Sequence, residues 1–141
     1  MSEIPEQPKT AGRESIEYPA RVLLIDDYES ITRSLKAYFR GEGDFDTATC
    51  HDAAEAIAVI EEKKPEIVLL DHALTRDPEA GFKVARWILQ QRPNTRIFST
   101  TSAWLDVQKD YERIAFEAKA THPITHVDKK DFRGIGNIIG S

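Results

Sequence analysis

Arg21-Val22-Leu23-Leu24-Ile25-Asp26-Asp27 opens the interpretable part of the chain, and Ile67-Val68-Leu69-Leu70-Asp71 repeats its form. Each is an unbroken apolar run of strand length that ends abruptly in acid. Strict alternation of apolar and polar residues marks a strand with one wet face, whereas continuous runs mark strands covered on both faces, the habit of parallel sheets. Around these runs, strand-like and helix-like stretches alternate. That order predicts an α/β fold, with helices on both faces of one parallel sheet.

Working outward, residues 30–40 carry Ile31, Leu35, Tyr38 and Phe39 at helical spacing, with Gly41 and Gly43 as stop signals. Residues 45–50 read as a second strand. Asp52 with Glu55 three positions on has the form of a capping box, opening an Ala-rich helix that must end before Pro65. Residues 81–91 predict a third helix, residues 97–101 a fourth strand, residues 106–119 a helix of about four turns, and residues 124–128 a fifth strand. Gly134 and Gly136 lie inside the last helical stretch, which is therefore expected to be short or frayed.

A chain of 141 residues fits one domain with a core of its own. A single cysteine, Cys50, excludes an internal disulfide. No apolar run approaches the roughly 20 residues of a membrane span, and no charged-then-apolar leader is present, so a soluble protein of a reducing cytoplasm is expected. The net charge of −5 gives no support to a nucleic-acid surface built on overall basicity. Residues 1–20 hold Pro5, Pro8 and Pro19 among polar residues and predict a flexible arm, leaving residues 21–141 as the domain.

In an open parallel sheet, ligands sit outside the carboxyl ends of the strands, where residues distant in sequence meet. Asp26, Asp27, Asp71, Thr101 and Lys129 all fall at or just beyond such ends. Three carboxylates that close raise one another's pKa values, and a divalent cation relieves the repulsion. Hard oxygen donors favour magnesium or manganese over zinc, and magnesium usually binds through one or two carboxylates together with phosphate oxygens. The pocket therefore invites a phosphoryl group.

In order and spacing these residues resemble the receiver domain of two-component response regulators. The acidic pair closes the first strand, Asp71 comes 44 residues after Asp27, Thr101 comes 30 after Asp71, and Lys129 follows the fifth strand. The resemblance covers almost all of residues 21–139. It implies a flavodoxin-like, doubly wound five-stranded sheet in the order 2-1-3-4-5. It also implies that Asp71 is a phosphoacceptor taking its phosphoryl group from a histidine kinase or phosphotransfer protein. Asp26, Asp27, Asp71 and the backbone carbonyl of Ala73 would hold Mg2+ or Mn2+, while Thr101 and Lys129 would engage the phosphoryl oxygens. His126 stands where the family has a tyrosine or phenylalanine, and with Thr101 it would form the moving pair of a conformational switch. An effector protein or an output domain outside this sequence would read the switch. The resemblance implies no membrane contact, no nucleic-acid binding by this domain and no enzymatic activity beyond self-catalysed phosphotransfer and dephosphorylation. It leaves a homodimer open.

Several positions depart from the family pattern. Gly81 follows Asp71 by ten residues, so residues 74–80 form a loop about two residues longer than usual, with Thr75 in place of a common proline. Lys130 replaces the proline after the lysine, which leaves the aim of Lys129 open. Among Ser99, Thr100, Thr101 and Ser102, the choice of Thr101 rests on its interval. His72 is expected on the pocket rim, and Trp104 beside the pocket or a partner surface.

Rival readings remain. A displaced Lys129 and a loop laid over the pocket would make the chain a degenerate receiver, docking partners without phosphorylation. A haloacid-dehalogenase-type hydrolase needs a second Asp two residues after the nucleophile, and Ala73 stands there. A flavin-binding flavodoxin needs a glycine- or hydroxyl-rich phosphate loop after Ile25, where the chain has Asp26-Asp27-Tyr28.

Overall fold

The computed structural model describes residues 20–140. The expected arm lies outside the described residues except for Ala20, which is fully buried and belongs to the core rather than to an arm. Five strands, β1 (Arg21–Asp26), β2 (Asp44–Thr49), β3 (Ile67–Leu70), β4 (Arg96–Ser99) and β5 (Thr125–His126), alternate with five helices. The helices are α1 (Glu29–Tyr38), α2 (Ala53–Lys63), α3 (Ala80–Gln91), α4 (Trp104–Glu117) and α5 (Phe132–Gly140). All strand pairs are parallel, and the order is β2-β1-β3-β4-β5.

The continuous apolar runs do what their pattern predicts. Leu23, Ile25, Val68 and Leu70 point into one core with Ala56 and Ile60 of α2, Val84 and Ile88 of α3 and Ile114 of α4. Val22, Leu24, Ile67 and Leu69 point into the other, with Leu35 of α1 and Ile135 and Ile139 of α5. Each fully buried aliphatic side chain of this kind contributes roughly 1.5–3 kcal/mol.

Local signals fix the joints. Gly41 and Gly43 have φ of +88° and +83°, a conformation that a side chain would strain, and they turn the chain from α1 into β2. The Asp52 carboxylate accepts from the Glu55 N–H at 2.9 Å, as in a capping box. Glu55 returns its bond to the N–H of His51, at 2.6 Å, rather than to that of Asp52. Lys64 ends α2 in the left-handed region, just before Pro65.

Strands β4 and β5 are shorter than expected. Thr100 adds one more ladder bond, from its N–H to the Leu70 carbonyl at 3.0 Å, but the N–H of Thr101 turns to the Ser99 hydroxyl and the strand stops. The last helix is nine residues long. Its glycines are accommodated because Asp131 caps the N–H of Gly134 at 2.9 Å, while Ile135 and Ile139 carry the burial. At the β2 edge of the sheet, Lys36 of α1 and Lys63 of α2 close on Asp46 from opposite faces, at 2.6 and 2.9 Å.

Candidate functional site

Period-two alternation decides which acids meet. Ile25 and Leu70 face the α2-α3-α4 side, so Asp26 and Asp71, one residue later, turn to the other side at the carboxyl edge of the sheet. Asp26, Asp27 and Asp71 each offer an oxygen, and these lie within 4.8 Å of one another. Asp26 is completely buried and Asp71 nearly so. The N–H of Tyr28 donates to Asp26 Oδ1 at 2.8 Å and fixes that carboxylate.

Lys129 reaches into the cluster from beyond β5. Its Nζ lies 2.5 Å from Asp26 Oδ2 and 3.7 Å from Asp71 Oδ2, so the substitution of proline by Lys130 does not displace it. Burial alone would lower the Lys129 pKa. The Asp26 hydrogen bond and the charges of Asp71, Asp26 and Asp27 outweigh that, and the ammonium is held above its ordinary value. Burial, opposed by Lys129 and reinforced by Asp26 and Asp27, pushes the Asp71 carboxyl up to about 6. A carboxylate in that state is still ionised at neutral pH and is a stronger base than usual.

The long loop braces the pocket instead of covering it. Leu74 and Asp77 pair across a tight turn, the N–H of Arg76 donates to the His51 carbonyl at 2.9 Å, and Leu74 is buried in the core. This anchoring presents Thr75, whose hydroxyl donates to Asp27 Oδ2 at 2.6 Å. Asp27 Oδ1 is buried and has no hydrogen-bond partner among the described residues. Three hard-oxygen ligands, one with a buried oxygen lacking a donor, fit a small divalent cation such as Mg2+.

A cleft of 670 Å³ opens beside the acids, lined by Tyr28, Asp71, Ala73, Thr100, Thr101, His126 and Lys129 among others, and no residue from 74–80 lines it. The expected site residues therefore come together: the three acids cluster within 4.8 Å, Lys129 pairs with Asp26 and Asp71, and Ala73, Thr101 and His126 stand on the walls. Thr101 is buried, and its Oγ1 accepts from the Ala103 N–H at 3.2 Å. His126 is exposed and stacks on Trp104, with ring centroids 5.7 Å apart and planes 16° from parallel.

His72 is not on the rim. Alternation sends it to the opposite side from Asp71, where its Nδ1 shares a 2.7 Å hydrogen bond with the Tyr111 hydroxyl and its ring meets Phe82. Burial lowers its pKa. Trp104 stacks on Tyr111 as well as on His126, so α4 is tied both to the residue after Asp71 and to β5.

The family model described as the response regulator receiver domain matches residues 22–129. The DNA-binding response regulator MtrA of Mycobacterium tuberculosis strain H37Rv is 43% identical over 51 residues, 36% of this chain and 22% of that protein. The transcriptional regulatory protein YhcZ of Bacillus subtilis is 27% identical over 125 residues, 81% of this chain and 55% of that protein. The chain thus spans between about a fifth and just over half of these relatives. Among solved structures, the receiver domain of a LuxO-type repressor protein from Vibrio parahaemolyticus superposes with a TM-score of 0.63 at 24% identity, covering 86% of this chain and 87% of that one. A receiver domain protein from Clostridium thermocellum gives 0.64 at 19%, covering 86% and 91%, a likeness of fold alone.

Proposed function

The chain belongs to the response regulator receiver domain family, and from that premise we propose that Asp71 is the phosphoacceptor of a two-component relay, with Asp26 and Asp27 holding Mg2+ beside it. The observation that carries the reading is the meeting of three carboxylates within 4.8 Å with the Lys129 ammonium lodged among them. A divalent ion would neutralise charge on the transferring group and on its carboxylate neighbours. Asp26, Asp27, Asp71 and the Ala73 carbonyl are the groups proposed to bind it.

In the transfer, an oxygen of the ionised Asp71 carboxylate attacks phosphorus as the P–N bond of a phosphohistidine breaks. The bonding pair leaves with the imidazole nitrogen, and an acyl phosphate forms with no change of oxidation state. This chemistry asks the protein for in-line placement and charge neutralisation more than for covalent work. Lys129 would leave Asp26 for the new phosphoryl oxygens, and the Thr101 hydroxyl would donate to one of them. His126 would then shift from its stack on Trp104, giving a partner two surfaces to distinguish. The donor would be a sensor histidine kinase or a phosphotransfer protein. The reader would be an effector or a further domain, as in the DNA-binding relatives, and the setting cytoplasmic. Against the docking-module alternative stand the Lys129 Nζ, 3.7 Å from Asp71 Oδ2, and a cleft that no residue from 74–80 lines.

The test is intact mass after incubation with acetyl phosphate, with and without Mg2+. The expected outcome is a labile gain of one phosphoryl group that requires Mg2+ and is abolished by Asp71→Asn. If wild type gains nothing from acetyl phosphate or from a panel of kinases and binds no Mg2+ by calorimetry, the reading fails.

A further inference from the structure

Thr100 is 2% exposed, and its hydroxyl oxygen, with that of Asp27, is one of two buried side-chain polar atoms without a hydrogen-bond partner among the described residues. A buried hydroxyl left unpaired costs about 1–3 kcal/mol, so threonine here is an expensive substitute for valine, which has the same shape. Its direction is set by the strand. Ile97 packs into the α2-α3-α4 core and Phe98 against the other, Ser99 pairs with Leu70, and Thr100 continues the ladder through the Leu70 carbonyl. Paired residues of parallel strands point the same way. Thr100 therefore faces the side that Asp71 faces, and it lines the same cleft as Asp71, Thr101 and Lys129.

We propose that the Thr100 hydroxyl is a second phosphoryl contact in this site, donating to an oxygen of the group carried by Asp71, beside the Thr101 hydroxyl. This rests on Asp71 being the acceptor. The two hydroxyls are differently prepared for the task. Thr101 Oγ1 already accepts from the Ala103 N–H and would have to move to reach the phosphoryl group. Thr100 is held by the end of β4 with nothing to give up, which is the condition for a preorganised donor. The unpaired hydroxyl and the proposed phosphoryl contact are two sides of the same arrangement: what destabilises the unphosphorylated protein would stabilise the phosphorylated one.

The test compares wild type with Thr100→Val and Thr100→Ser in three measurements: thermal midpoint, rate of phosphoryl uptake from acetyl phosphate with Mg2+, and affinity for beryllofluoride, a phosphoryl mimic, by fluorine NMR. Thr100→Val is expected to raise the midpoint by about 3 °C while slowing uptake and weakening beryllofluoride by about tenfold, the loss of one good hydrogen bond. Thr100→Ser should restore both binding and rate. A valine variant that takes up phosphoryl and beryllofluoride like wild type overturns the contact, as does a serine variant that rescues neither. If wild type itself takes up neither, the acceptor reading falls and the contact falls with it.

Discussion

The end of β3 delivers Asp71 and His72, neighbours in the chain, into opposite surroundings. On one side, three carboxylates crowd together and two of them share Lys129, Asp27 Oδ1 and Thr100 Oγ1 have no hydrogen-bond partner among the described residues, and the Asp71 carboxyl is pushed up to about 6. On the other, His72, Phe82, Tyr111 and Trp104 interlock, and the buried histidine finds its partner in the Tyr111 hydroxyl. One region keeps unsatisfied polar groups and repelling charge; the other satisfies its groups and fills its space. The contrast teaches that stability is taken from the packed side and held in deficit at the pocket, which is the expected signature of a site built for a ligand.

Three substitutions break or sharpen this contrast. The largest effect belongs to Gly81→Ala. A Cβ there would lie 2.0 Å from the Tyr111 hydroxyl and 2.8 Å from the His72 Cα, and backbone cannot swing aside as a side-chain tip can. A loss of about 3 kcal/mol in urea unfolding is expected; wild-type stability would show that the packed side is loose after all.

Asp71→Asn acts in the opposite direction. The raised Asp71 pKa means that the folded state holds its proton between about pH 4 and 6 while the unfolded chain releases it, so stability falls as pH rises through that window and the full penalty stands above it. The neutral amide removes the penalty. It should therefore stabilise the metal-free protein by about 2 kcal/mol at pH 7.5 and hardly at all at pH 4. A pH-independent gain, or a loss, would mean that the carboxylate is not strained. Smallest is Tyr111→Phe, which leaves the His72 nitrogen buried without its partner and should cost about 1–2 kcal/mol at pH 7. If both Asp71→Asn and Tyr111→Phe were destabilising, the contrast between the two regions would dissolve.

Much of this was legible from the chain. The apolar runs identified β1 and β3, and the acids ending them met as the parallel-sheet rule requires. Asp52 and Glu55 marked the start of α2. Other features depended on contacts that no local pattern encodes. The aim of Lys129 is set by its ion pair with Asp26, 103 residues away, and the hydroxyl of Thr75 meets Asp27 only because the Leu74–Asp77 turn is pinned to His51. Strand ends were overestimated because β-prone residues such as Thr100 and Thr101 continue past the last partner available for pairing. The direction of His72 was readable and missed: two successive residues of an extended chain point opposite ways, so placing Asp71 in the pocket already placed His72 behind it. The same alternation would have singled out Thr100.

The ion pairs at the rim of β2 bear on how this protein behaves in a crowd. An edge strand is an invitation to any other extended chain, and six residues of unpaired backbone are enough to seed aggregation. Here the invitation is withdrawn by Asp46 and the two lysines locked across it from both faces. Burial favours the neutral acid, but hydrogen bonds from Lys36, Lys63 and the Thr47 N–H bring its pKa down to about 2. The guard therefore remains charged from neutral to mildly acidic pH, and an intruding strand would have to strip water from a carboxylate and two ammonium groups before making its first bond.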